Sequence, residues 1–219
     1  MRPFHEQLLS ESKELWGAIL HHPFLQETAS GKISAHTFKT WMQQDFIFVQ
    51  EAIPFVAVLL AKSPENLRTN FIQILSGLDQ ELGLFRKNAQ AHGVNLDNLK
   101  AAPTCHSYLQ FLMSTAYNCS FLEGFTVLYS AEKVYLDSWM EVKKKLKGKS
   151  PWEEFINNWT SQGFQQYVDW LAVTLDDLAE NLPLRQIEKL RELFQTTGRY
   201  EYLFWEMAYR EEKWPALGK

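Results

Sequence analysis

SAHTFKTWMQQDFIFVQEAIPFVAVLLAK, residues 34–62, is the stretch on which the fold class turns. Ser34 has the short hydroxyl side chain of a helix N-cap. From there the chain reads as one helix to about Lys62, with Pro54 as the expected kink. Trp41, Asp45, Phe48 and Ala52 fall on one helical face, at i, i+4, i+7 and i+11. Neither this stretch nor any other has the apolar-polar alternation of a strand.

Toward the N-terminus, a first helix is expected from about Pro3 to Leu20. His22-Pro23 breaks it, since proline disfavours helix in the residue before it, and Gly31-Lys32 is a turn. Toward the C-terminus, Ser63-Pro64-Glu65 opens a helix running to about His92-Gly93, with Pro at its favoured first position. Asn95 to Ala102 reads as a loop. Pro103-Thr104 introduces a helix from about Cys105 to Cys119, and another runs from about Ser120 to Lys147, stopped by Gly148. Ser150-Pro151-Trp152-Glu153 has the marks of a helix start, followed by a bend or break near Gly163 and an end near Asn181-Leu182-Pro183. The last two helices run from about Leu184 to Thr196 and from Gly198 onward. With no internal repeat and no linker rich in Gly, Ser and Pro, the expectation is all-α: a single-domain bundle over 1–219 of about seven or eight helices, with room for an internal pocket.

Composition narrows the function classes. The 219 residues are 46% hydrophobic and 22% charged, ordinary values for a soluble globular chain. The aromatic share is high, 14%, with 8 Trp and 15 Phe. That surplus suits a core together with a pocket for a flat ring or a buried oligomer interface. Net charge is -4, and the basic run from Lys143 to Lys149 reads as a helix C-terminus, so nucleic-acid binding is unsupported. No apolar run approaches the 18 or so residues of a membrane span, and no signal peptide is recognised, so no membrane partner and a cytoplasmic location are expected. Cys105 and Cys119 lack CxxC spacing and read as reduced and packed. None of the six histidines, His5, His21, His22, His36, His92 and His106, stands in a Glu-x-x-His arrangement, so no metal or other cofactor is expected.

Four groups of residues carry chemical interest. In Tyr200-Glu201-Tyr202-Leu203-Phe204-Trp205-Glu206-Met207-Ala208-Tyr209, five of the ten are aromatic. Glu201 shares a helical face with Phe204, Trp205 and Ala208. An apolar, water-poor setting disfavours the charged carboxylate, so such a Glu holds its proton as a general acid must; the plainer alternative is an amphipathic helix whose Glu faces water. Asp45 lies on an aromatic face, where a carboxylate needs a cation, a donor or a ligand. A core Arg or Lys is one such partner. An exocyclic amine or protonated ring nitrogen is another, which makes an aminated heterocycle a reasonable ligand. Tyr108 and Tyr135 lie in apolar helices, where a hydroxyl bonded to a backbone carbonyl explains either one alone. Glu132 lies in a mostly apolar helix, with Lys133 beside it suggesting a partly solvated face.

The chain resembles the thiaminase II (TenA) family, which shares an all-α fold with haem oxygenases. The resemblance spans nearly the whole chain. It is carried by His22-Pro23-Phe24 followed by Gly31, by Phe38-x-x-Trp41-x-x-Gln44-Asp45, by Pro103-Thr104-x-x-Ser107-Tyr108 and by Tyr200-Glu201-Tyr202-x-Phe204-Trp205-x-Met207-Ala208-Tyr209. It implies a pocket for a thiamin-related aminopyrimidine and hydrolysis of the C–N bond on the methylene attached to that ring, in thiamin salvage. By position, Asp45 corresponds to the residue gripping the ring amine and nitrogen, and Glu201 to the catalytic acid/base. Tyr108 and Tyr135 match pocket tyrosines, Phe48 stands where many members have Tyr, and Trp159 matches an aromatic pocket position. Phe204 is expected to join the stacking aromatics.

One departure matters. The better-known branch has a nucleophilic Cys in the helix that here begins Phe121-x-Glu123, and that anchor places it at Ala131. Neither cysteine of this chain substitutes for it, so no thiolate stands at that position and the resemblance points to the Cys-lacking branch, associated with amino- and formylamino-methyl pyrimidines. Glu132, next to the vacated position, is assigned to the attacking water by proximity. The resemblance further implies a homo-oligomer, dimer or tetramer. Two alternatives stand beside the hydrolase: a non-catalytic pyrimidine-binding or regulatory protein, and a haem-oxygenase-like oxidase acting on another substrate.

Overall fold

A computed structural model describes residues 2–216, so residue 1 and residues 217–219 of the expected 1–219 domain lie outside the described residues. Among the described residues the chain is all-α and has no strand, as its patterning requires. Its helices are α1 (Phe4–Glu11), α2 (Lys13–Leu20), α3 (Pro23–Ser30), α4 (Ala35–Lys62), α5 (Arg68–His92), α6 (Pro103–Asn118), α7 (Phe121–Lys145), α8 (Glu153–Trp159), α9 (Gln162–Ala179) and α10 (Leu184–Arg210), with a 3₁₀ turn at Glu65–Leu67.

The ten helices among the described residues exceed the expected seven or eight, and the reasons are local. The first helix divides at Ser12, which ends α1 and opens α2. His22-Pro23 does break the chain, but Pro23 also starts a helix: the His22 ring accepts the Phe24 N–H at 3.2 Å and Pro23 occupies the first turn. The expected break near Gly163 falls at Thr160-Ser161, where the Ser161 hydroxyl caps α9 by accepting the Phe164 N–H. Conversely, the expected break between Thr196 and Gly198 is absent, and α10 runs through. Gly198 packs closely on α2: a Cβ on it would lie 3.0 Å from Leu15 Cδ2 and 3.5 Å from the Trp16 ring. The readings of α4, α6 and α7 hold to within two residues, whereas α5 begins at Arg68, four residues after the expected Pro64, with the 3₁₀ turn Glu65–Leu67 between.

The chain forms two compact units, one comprising Met1–Ile33 and Leu122–Leu203, the other Ser34–Phe121 and Phe204–Lys219. In the first, α1 packs on α9, and α8 on α9. Trp159 stacks on Trp139 and on Phe155, at 5.3 and 5.6 Å between centroids. Trp16 stacks on Phe194 at 5.2 Å, while its indole N–H donates to Asp137. The basic run at the end of α7 is partly structural: Lys143 donates to the Thr160 hydroxyl, and Lys145 pairs with Glu141.

In the second unit α4 packs against both α5 and α6. Trp41, fully buried, meets Phe38, Phe85 and Trp205 at 4.8, 6.1 and 6.4 Å. A side chain of that size fully enclosed makes Trp41→Ala cost about 3–5 kcal/mol. By length and composition α4 is apolar enough to cross a membrane, with a mean hydropathy of 1.5 over its best window. The expectation that no apolar run approaches a membrane span is corrected to that extent, because this window reaches the required mean hydropathy with polar residues interspersed among the apolar ones. Phe46, Val49, Phe55, Val56 and Leu59 are all buried in this unit, so much of the helix's apolar surface is spent on packing.

Candidate active site

In the second unit, α4 presents Gln44, Asp45 and Phe48 in succession. Asp45 is 1% exposed. Gln44, beside it, ties α4 to the segment leading into α6: its amide donates to Lys100 O at 3.1 Å and its carbonyl oxygen accepts the Ala102 N–H at 2.7 Å. Ala102, at the N-cap position of α6, makes no side-chain cap bond. Glu212 supplies one instead, accepting the Thr104 N–H at 2.8 Å, and its charge suits the helix N-terminus. These contacts fix the start of α6, which carries Tyr108. The Tyr108 ring then meets Phe48 at 4.9 Å, and Phe48 meets Phe204 edge-on at 5.4 Å. Three of the expected ring-binding residues are thus assembled as one aromatic group. Trp41, two turns before Phe48 on α4, stacks at 6.4 Å on Trp205, the residue after Phe204 on α10.

Cys105 lies in this unit, its thiol donating to Gln44 O at 3.7 Å. Burial, with Asp45, Glu212 and Glu51 nearby, raises the thiol far above its ordinary range. A thiol so held keeps its proton and is a poor nucleophile. Cys119 closes α6 with its backbone, its carbonyl accepting from Lys62 Nζ along with those of Ala116 and Tyr117.

In the first unit, Glu201 is 1% exposed on α10, so the expected apolar position holds and the water-facing alternative does not. The next residue, Tyr202, takes the His22 ring edge-on at 5.2 Å. His22-Pro23-Phe24 therefore secures α3 beside the Glu201 segment. On α7, Tyr135 meets Trp159 edge-on at 5.6 Å, so two more expected pocket residues are in contact. The nearby Ser130 hydroxyl donates to Phe194 O at 2.9 Å, locking α7 onto α10.

Glu132 is half-buried on α7, and it accepts a hydrogen bond from the Tyr167 hydroxyl of α9 at 3.2 Å. Desolvation raises its pKa from 4.5 to about 7, against the lowering effect of the Tyr167 bond. Lys133 does not neutralise it, being bound to Asp137 at 2.7 Å. Sequence reasoning missed Tyr167. Its only signal is a place on the edge of the α9 apolar stripe, three residues after Phe164 and four before Leu171. Among the described residues no three His, Cys, Asp or Glu gather as metal ligands.

A family model described as TENA/THI-4/PQQC family matches residues 9–211. The chain belongs to this family. Similar proteins include an aminopyrimidine aminohydrolase of Halalkalibacterium halodurans, 29% identical over 96% of this chain and 97% of its own length. Another, of Helicobacter pylori, is 27% identical over 94% of this chain and 98% of its own. Among solved structures, a TenA homologue from Pyrococcus furiosus is 39% identical and superposes with a TM-score of 0.91, covering 94% of this chain and 99% of that one. A domain of unknown function with a heme oxygenase-like fold from Shewanella denitrificans has a TM-score of 0.75 at 12% identity, covering 94% of this chain and 92% of that one, a likeness of fold alone. The expected family and the haem-oxygenase-like, all-α fold are both borne out.

Proposed function

We propose that this protein is a C–N bond hydrolase of thiamin-derived aminopyrimidines, converting an aminomethyl- or formylaminomethyl-pyrimidine to the hydroxymethyl-pyrimidine in thiamin salvage. The observation that carries the reading is Glu201, a carboxyl 1% exposed within an aromatic run, in a family member whose relatives are named aminopyrimidine aminohydrolases. A carboxyl withdrawn from water keeps its proton to higher pH, as a general acid requires.

The roles follow from the chemistry of each group. Asp45 accepts from the exocyclic amine and a protonated ring nitrogen, whose positive charge favours the ionised carboxylate against its burial. Phe48, Tyr108, Phe204, Tyr135 and Trp159 are the aromatic groups assigned to stacking on the ring. Glu201 gives its proton to the leaving nitrogen as the methylene C–N bond breaks, the bonding pair going to nitrogen. Water forms the new C–O bond and yields a proton to the Glu132 carboxylate. The net change is an aminomethyl group and water giving a hydroxymethyl group and ammonia; a formylamino substrate first releases formate. With Cys105 held as a thiol and no cysteine at Ala131, the carboxyl groups carry the proton transfers. Ammonia release and ligand binding, measured in parallel, test the reading. Binding without release would mean a non-catalytic pyrimidine-binding protein.

The same reading takes 1–219 as one domain; the family match runs through both units, over residues 9–211. It also includes a cytoplasmic location and a homo-oligomer, dimer or tetramer. Ile72, Tyr117 and Val173, each more than half exposed, are apolar surface that an oligomer would cover. Light scattering on the purified protein measures the assembly.

A further inference from the structure

We propose that Tyr167 is the positioning residue of Glu132: its hydroxyl holds one carboxyl oxygen, so that the other is set to take the proton of the attacking water. The proposal rests on the reading of Glu132 as the water-activating carboxyl.

Three observations carry it. The first is the bond itself, 3.2 Å from Tyr167 Oη to Glu132 Oε1, joining α9 to α7. The second is that both ends are held. Tyr167 packs on Phe164 at 5.9 Å, and the start of α9 is pinned by the Ser161 cap and by Gln165, whose amide donates to Thr160 O at 3.0 Å. On α7, Ser130 is anchored to Phe194 O, and Tyr135 rests on Trp159. Glu132 thus stands between two fixed points of its own helix and meets a fixed donor from another.

The third is the charge around Glu132. From α9, the one titratable group acting on it is Tyr167. On α7, Lys133 is engaged by Asp137. The donor is therefore neutral. A salt bridge would hold the carboxyl ionised far below neutral pH and make it a weak base. A phenol orients it while leaving its proton affinity near neutral, which suits a base that must take a proton from water and then give it up.

The test is Tyr167→Phe, which removes one oxygen and keeps the ring, in the full-length protein. Infrared or carbon NMR titration of the Glu132 carboxyl without substrate should move up by about one pH unit, the loss of one hydrogen bond to a charged group. The acidic limb of kcat/KM should move the same way, and kcat should fall about 10-fold with KM little changed. In a Glu132→Gln background, adding Tyr167→Phe should change nothing further. If Glu132→Gln abolishes turnover but Tyr167→Phe moves neither the titration nor the pH profile, the role of Tyr167 is overturned while that of Glu132 stands. Full turnover by Glu132→Gln overturns the role of Glu132, and the proposal with it. Ammonia release by the wild type together with that outcome would leave the hydrolase reading intact.

Discussion

Tyr167 and Glu132 meet through a hydrogen bond of 3.2 Å from phenol hydroxyl to carboxyl oxygen, linking α9 to α7. This neutral partner leaves most of the cost of desolvating Glu132 uncompensated, and the pKa stands at about 7 against an ordinary 4.5.

That cost has a sign in stability. Between pH 4.5 and 7 the folded protein holds a proton that the unfolded chain has given up, so raising the pH destabilises the fold. The contribution is complete below 4.5 and is lost as pH rises through 7. Glu132→Gln removes the ionisation. At pH 7.5 the variant should be more stable than the wild type by on the order of 1–3 kcal/mol, and the advantage should vanish near pH 4.5. Urea melts across that range measure it; a difference independent of pH would contradict the account.

Cys105 should be dispensable. Its thiol is raised by burial first and then by Asp45, Glu212 and Glu51, so iodoacetamide at pH 8 should label Cys119 and spare Cys105 in the folded protein. Cys105→Ala, a swap of one small apolar group for another, should keep kcat within about threefold. A large loss of kcat with normal binding would restore a thiol mechanism.

Asp45 should govern binding. Asp45→Asn keeps the shape but removes the charge that meets an aminated ring. Calorimetry with the hydroxymethyl-pyrimidine should show affinity lower by roughly 10- to 100-fold, the worth of a hydrogen bond to a charged group. An unchanged Kd would mean that Asp45 serves the core alone.

Much of the fold was legible because helix ends are written in local chemistry. Ser34 caps α4 by accepting the Thr37 N–H, and Gly93 closes α5 in the left-handed conformation that glycine favours. What was missed depends on tertiary contact. Gly198 reads as a breaker, yet it lies inside α10, packed so that a Cβ would stand 3.0 Å from Leu15 Cδ2. Ser12 divides the first helix without any proline or glycine to announce it.

The site divides in the same way. Asp45 and Glu201 were legible because a carboxylate on an aromatic helical face is costly, and both are 1% exposed. The contacts of Phe48 with Tyr108 and of Tyr135 with Trp159 join residues expected only one by one. Tyr167 was invisible, since nothing along the chain relates position 167 to position 132; only the packing of α9 and α7 does.

The central claim rests on Glu201. The measurement that tests it most directly is ammonia release from an aminomethyl-pyrimidine by the wild type and by Glu201→Gln, with binding of the hydroxymethyl-pyrimidine followed alongside. The wild type should release ammonia and the hydroxymethyl product in equal amounts. Glu201→Gln should lose roughly 10²- to 10⁴-fold in kcat while holding Kd within a few-fold. Undiminished release by the variant, or none by the wild type, would contradict the account.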